Sequence, residues 1–160
     1  MNTEDKKAAL NVLNFLCKGA TIEGLNFYGL KLLLSETETN SERINGQVYL
    51  NIESEFCLYQ TMPKDIPHLN ELPKLDWVDS AKVLCELRLK KITEVSLHDE
   101  SPHLFFTFES GEVLFIWGHH HKYESWQVDI MKESGEETWL VVACPGDQLA
   151  VWGAEDVIGQ

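Results

Sequence analysis

The residues most able to do chemistry in this chain are histidines, cysteines and carboxylates. His119-His120-His121 is the densest such group. Imidazoles ligate zinc and related ions, but three consecutive residues cannot all face one ion. Alternate residues of an extended segment share a side, so only His119 and His121 could converge, with a third ligand such as His103 or Glu124. The alternative expectation is an exposed loop after Trp117-Gly118 whose charge changes below about pH 6.5. The four cysteines, Cys17, Cys57, Cys85 and Cys144, lie 40, 28 and 59 residues apart. They lack the two-to-four-residue spacing of a zinc knuckle and are expected to be free, buried thiols. Cys144-Pro145-Gly146-Asp147 resembles a reactive turn only superficially, since no helix start follows to lower the thiol pKa. The carboxylate pairs Glu53/Glu55 and Glu136/Glu137 have the residue types of an acid–base couple, yet such pairs arise by chance among 26 acidic residues. No GxSxG elbow and no glycine-rich phosphate loop occurs. These residues point to no enzyme and no cofactor.

Charge is the stronger signal. The 160-residue chain carries 13 basic and 26 acidic residues, net −13. Residues 1–91 hold 13 acidic and 11 basic residues, whereas residues 92–160 hold 13 acidic and only two basic ones, Lys122 and Lys132. This balance disfavours direct contact with nucleic acid or an anionic membrane, both of which need cations against phosphate. It suits a positively charged partner, because a single-sign field steers encounter at a cost in stability from self-repulsion. Candidate partner-binding residues on this reading are Glu109, Glu112, Glu124, Asp129, Glu133, Glu136, Glu137 and Asp147. Four of the five tryptophans, Trp117, Trp126, Trp139 and Trp152, fall in the same half, and an exposed one would anchor an interface.

The elements that must position these residues can be read from periodicity. Ala9, Val12, Leu13 and Leu16 recur at helical steps, predicting a helix over 4–17 with Thr3 as cap and Gly19 as left-handed terminator. A second helix should run from a cap at Asp79 or Ser80 to about Leu87. Strand patterns occupy 21–27, 30–34, 46–52, 55–59, 92–97, 104–108, 113–117, 126–131, 138–144 and 149–152. Glu109-Ser110-Gly111-Glu112 and Glu133-Ser134-Gly135-Glu136 read as hairpin turns. The proline-bearing segment 63–73 is a connector packed along the surface. The expected class is α+β, with mainly antiparallel sheets and two short helices, in a single domain spanning 1–160.

The halves align as an internal duplication of a helix-plus-β-meander unit, 4–60 and 79–131, followed by a C-terminal β extension at 138–152. Leu16-Cys17 matches Leu84-Cys85, Ile22 matches Ile92, and Leu30/Leu32/Leu34 match Leu104/Phe106/Phe108. Gly46-Gln47-Val48 matches Gly111-Glu112-Val113, and Glu53-Ser54 matches Glu124-Ser125. A groove between the repeats, with the His119–His121 loop, is a second candidate site, for a small ligand or metal. A third expectation is an oligomer subunit pairing through exposed strand edges.

The later half also carries Leu104-Phe105-Phe106-Thr107-Phe108, Ser110-Gly111, Val113-Leu114-Phe115-Ile116, Glu124-Ser125-Trp126 and Val141-Val142-Ala143-Cys144-Pro145-Gly146-Asp147. Over residues 88–152, with an echo in 16–59, this resembles small bacterial β-rich proteins encoded beside secreted polymorphic or contact-dependent toxins, among which immunity proteins are common. The resemblance rests on turns and apolar strands and transfers no site residue. It implies a cytoplasmic, non-enzymatic antidote that binds and neutralises a cognate toxin domain, many of which are basic nucleases. The start of the chain shows no basic head with an apolar block, so no secretory signal is expected.

Overall fold

The computed structural model describes residues 1–131 and 137–160. Among them are three α-helices, α1 (Thr3–Cys17), α2 (Trp77–Cys85) and α3 (Glu155–Ile158). The first unit contributes strands β1 (Ile22–Asn26), β2 (Lys31–Leu34), β3 (Gln47–Ile52) and β4 (Phe56–Tyr59). The second contributes β5 (Ile92–Leu97), β6 (Leu104–Phe108), β7 (Val113–Ile116) and β8 (Trp126–Met131), followed by β9 (Leu140–Cys144) and β10 (Gln148–Trp152). The protein is α+β. All strand pairs are antiparallel, in one sheet of order β1-β2-β3-β8-β9-β10 and another of order β4-β7-β6-β5.

α1 starts one residue earlier than expected and α2 three or four residues earlier. Asn2, not Thr3, caps α1 by accepting from the Glu4 amide, and Asp76 caps α2 by accepting from the Asp79 amide. Asp79 therefore lies in the first turn of α2, where its carboxylate suits the helix dipole. α3 was not anticipated, because a single turn has no room for a helical period. The predicted turn at Glu133–Glu136 lies outside the described residues.

The two sheets face each other across one apolar cluster. Leu32, Val48, Leu50, Val128 and Val141 of the six-stranded sheet share it with Ile92, Phe106, Leu114 and Ile116 of the four-stranded sheet and with Val12, Leu13 and Leu16 of α1. The connector closes the other side of the four-stranded sheet, where Ile66 and Leu72 pack on Phe105, Val113 and Phe115. With both faces covered, this sheet reads as the unbroken runs Leu-Phe-Phe and Val-Leu-Phe-Ile rather than as an alternation. In the six-stranded sheet β2, β3 and β8 alternate, with half-buried or exposed side chains on the second face, whereas β9 buries Val142 on that face as well as Val141 and Ala143 on the other.

The two units exchange strands. β4 of the first pairs with β7 of the second, and β8 of the second pairs with β3 of the first. The helices exchange likewise, α1 packing on β5 and α2 on β1. Thr21 bridges Lys91 between the sheets. Around that bridge the Ile22 amide donates to Lys90 O (3.0 Å) and the Ile92 amide to Ala20 O (2.8 Å). The Gly19 amide donates to Ile92 O (2.8 Å), as the Leu89 amide does to Ile22 O (2.7 Å). Each bond maps onto its counterpart when the units are interchanged. The bulges at Ile22/Gly24 and Ile92/Glu94 also correspond.

This pattern corrects parts of the sequence alignment. In the third strand Leu50 and Ile52 correspond to Leu114 and Ile116, one residue away from the expected match of Val48 with Val113. The slip matters because Val48 faces the shared core whereas Val113 lies on the opposite face, under the connector. In the fourth strand Phe56 corresponds to Trp126, so Glu55, not Ser54, matches Ser125. At the helix ends the Cys17–Ala20 turn corresponds to the Leu87–Lys90 turn, which displaces the Leu16-Cys17/Leu84-Cys85 match by two residues.

Candidate functional site

Side chains alternate across a strand, so burying Val48, Leu50 and Ile52 turns Gln47, Tyr49 and Asn51 outward. The register aligns these with their neighbours on the outer face of the six-stranded sheet. One row runs Leu33, Tyr49, Asp129, Leu140, Trp152, and the next runs Lys31, Asn51, Gln127, Val142, Ala150. Trp152 is 48% exposed at the sheet edge. Asp129 is half-buried in the middle of the face. It accepts from the Tyr49 hydroxyl (3.2 Å) and from Gln127 Nε2 (3.1 Å). Burial, together with the adjacent Asp129 charge, pushes the Tyr49 phenol up to about 12, so Tyr49 stays a neutral donor across the physiological range.

A groove of about 680 Å³ borders this face, lined by Asn51, Glu53, Tyr123, Glu124, Trp126 and Gln127 among others. Gln127 links it to Asp129. The structure thus brings Glu124 and Asp129 into one neighbourhood and adds Glu53, which the charge count had left among the acids of the first half.

The other expected partner-binding acids are dispersed. Glu112 ion-pairs with Lys90 and accepts from Ser110, and these contacts hold its carboxyl below the usual range. Glu137 and Asp156 share Arg43, whose guanidinium also lies over the rings of Phe15 and Trp139, 5.4 and 5.3 Å from their centroids. Asp147 pairs with His119 (2.8 Å). Glu109 is exposed in the β6–β7 turn. Glu133 and Glu136 lie outside the described residues. Glu112 and Glu137, each already paired with a cation, offer a partner less than their number suggests.

The histidine tract is tied down on every side. Trp117 Nε1 donates to His119 O (2.8 Å), and the Gly146 amide donates to His120 O (3.0 Å). The amides of Lys122 and Tyr123 donate to His120 Nδ1, and the rings of His120 and His121 stack 4.9 Å apart. The Gly118 amide donates to Nδ1 of buried His103 (2.9 Å). Gly118 admits no side chain, because a Cβ there would sit 1.9 Å from Pro102 O. Burial, with the nearby His98 charge, lowers the His103 pKa to about 4, leaving the ring neutral. No group of three or more His, Cys, Asp or Glu side chains among the described residues is arranged to hold a metal ion. His119 and His121 are therefore not gathered with His103 or Glu124 as ligands.

Nucleophile chemistry gains no geometry either. Burial raises the Cys144 thiol, as does the Glu124 charge, which is the opposite of activation. Burial works against ionisation of Asp147, but hydrogen bonds from His119 and Ser101 prevail and hold its pKa low. Ser101 thus donates to the carboxylate rather than to an imidazole, so these three residues lack the Ser–His–Asp order that activates a hydroxyl.

No family model, curated protein or solved structure matches this chain. No helix among the described residues is long and apolar enough to cross a membrane.

Sequence pattern named Asp129 but not its surroundings, because Tyr49 lies 80 residues before it and meets Gln127 and Asp129 only through the β3–β8 exchange. The alternation in 46–52 and 126–131 was the available signal, and it marked which residues point outward but not which strands adjoin.

Proposed function

We propose that the chain is a non-enzymatic binding protein of the immunity type, which neutralises a basic toxin domain by covering its surface. The observation that carries this reading is the outer face of the six-stranded sheet, where β2, β3 and β8 present half-buried or exposed side chains around an Asp129 oriented by Tyr49 and Gln127. Glu53 and Glu124 border that face, while Tyr49, Leu140 and Trp152 supply amphipathic and apolar area. Interfaces combine such anchors with a charged rim that sets register and on-rate. The resemblance to toxin-associated proteins supports the partner class, and the net charge of −13 supports its sign. The partner-facing acids on this account are Glu53, Glu124 and Asp129 rather than the whole acidic half.

Titration of the purified chain with the protein encoded immediately upstream tests this. A one-to-one complex whose affinity falls with salt is expected, together with loss of the toxin's activity. A partner that binds equally well at high salt, or that binds the Glu124→Lys/Asp129→Lys variant unchanged, would defeat the proposal.

A further inference from the structure

The interchange of the two units supplies an internal comparison. In each unit a helix start packs beside the turn joining the first two strands of the other unit. At the start of α1 this contact is polar: Lys6 ion-pairs with Asp99 of the β5–β6 turn, and the N-terminal amine donates to Glu100 O (3.3 Å). At the start of α2 the corresponding contact is aromatic. Phe27 of the β1–β2 turn meets Trp77 with ring centroids 5.5 Å apart. Phe27 is 68% exposed, Tyr28 89%, Trp77 43% and Val78 56%. An ion pair suffices for this junction in one half, so the fold itself does not require exposed aromatics in the other. Clustered exposed aromatic surface is unusual in a monomer and marks interaction sites, where Trp and Tyr are the preferred anchors.

Leu30 and Leu75, each two residues from the patch along the chain, line a groove of about 320 Å³ together with Phe56, Glu53, Glu55 and Lys74. Glu53 lines this groove and the one bordering the sheet face, so the two surfaces adjoin. Of the nearby cations, Lys31 donates to Tyr28 O (2.7 Å) and lies over the Tyr28 ring, and Lys82 pairs with Asp79, while Lys74 lines the groove itself, one cation against the two carboxylates. Glu53 accepts from Asn51, and no ion pair involves Glu53 or Glu55 among the described residues. Carboxylates beside apolar walls and aromatic faces favour a cationic side chain flanked by apolar ones, through ion pairing and cation–π contact.

We infer that the Phe27–Tyr28–Trp77 surface, with the Glu53/Glu55 groove, docks a protein segment in which lysine or arginine alternates with apolar residues. This deepens the binding-protein reading and rests on it.

The test uses the full chain and a short fluorescein-labelled peptide alternating arginine and leucine, with a glutamate–leucine peptide as control, followed by anisotropy. The cationic peptide should bind and the acidic one should not. Phe27→Ser/Trp77→Ser and Glu55→Lys should each weaken binding roughly tenfold or more, while Lys6→Ala/Asp99→Ala, the mirror site, leaves it unchanged. Circular dichroism should show each variant folded, since the altered side chains are exposed or at a groove. Binding that survives Phe27→Ser/Trp77→Ser but is lost in Glu124→Gln/Asp129→Asn would overturn this surface and leave the sheet-face reading standing. Equal binding of the acidic peptide, or none of the cationic one, would overturn the stated occupant. Self-association by sedimentation that disappears in Phe27→Ser/Trp77→Ser would assign the patch to a second copy instead.

Discussion

Gly19 and Leu89 occupy equivalent positions on either side of the Thr21–Lys91 bridge, and both have left-handed backbones, with φ of 90° and 64°. Each amide donates to the carbonyl of the other unit's first strand, Gly19 to Ile92 and Leu89 to Ile22. One half meets this backbone demand with glycine. The other holds a leucine there, 61% exposed, under conformational strain.

Leu89→Gly should therefore raise stability by about 1 kcal/mol, since little packing is lost and the left-handed penalty is removed. Gly19→Ala should lower it by about the same amount, because the nearest atom to an added Cβ is 3.8 Å away and only the backbone cost remains. Urea midpoints of the two variants, compared at unchanged m-values, measure both.

The exchange of β4 and β8 means that each three-stranded meander is completed by the other unit. Fragments cut within the 63–73 connector should each be largely unfolded alone and recover the native circular dichroism spectrum on mixing. A stably folded N-terminal fragment would contradict this, as it would have to form without β8 beside β3 and without half of the shared core.

His103 sets an acid limit on stability. Its folded pKa of about 4 lies below the ordinary 6.5, so between those values the unfolded chain holds a proton that the folded chain lacks. Stability is thus full above pH 6.5 and falls as pH drops toward 4, by on the order of 3 kcal/mol. The carboxylates of Glu112 and Asp156, held low by Lys90 and Arg43, add their loss only in more acid solution. Denaturant unfolding from pH 7 to 4 should show the slope, and His103→Asn, which keeps an acceptor for Gly118, should flatten it while lowering stability at pH 7.

Gly118→Ala should cost several kcal/mol, because the new methyl would overlap Pro102 O and displace the amide from His103. The histidine tract would lose its anchor with it. Retention of the wild-type Tm by this variant would show that the loop has room the structure denies it.

Much of the scaffold was legible because period-2 and helical spacing are local properties. The stripe Ala9, Val12, Leu13, Leu16 is buried as its spacing predicts, and the turn at Ser110-Gly111 has the positive φ at Gly111 that a hairpin favours. Register was less legible. A match of glycines placed Gly46 against Gly111, whereas burial of alternate faces sets the correspondence one residue away. The candidate site was legible least of all. Counting charge assigned Glu112, Glu137 and Asp147 to a partner, but the side chains they contact, Lys90, Arg43 and His119, come from segments distant in sequence. Conversely, Glu53 comes to line a groove with Glu124 and Gln127 only because β3 lies beside β8.

If a basic partner covers the outer face of the six-stranded sheet, hydrogen exchange of the chain with and without the upstream gene product will reveal it. Exchange should slow in residues 47–53 and 122–131 and at the edge strand 148–152, with residues 104–108 and 113–116 of the four-stranded sheet unchanged. Protection confined to the β6–β7 turn at Glu109 and Glu112, with the β3 and β8 segments unaffected, would contradict a partner on that face.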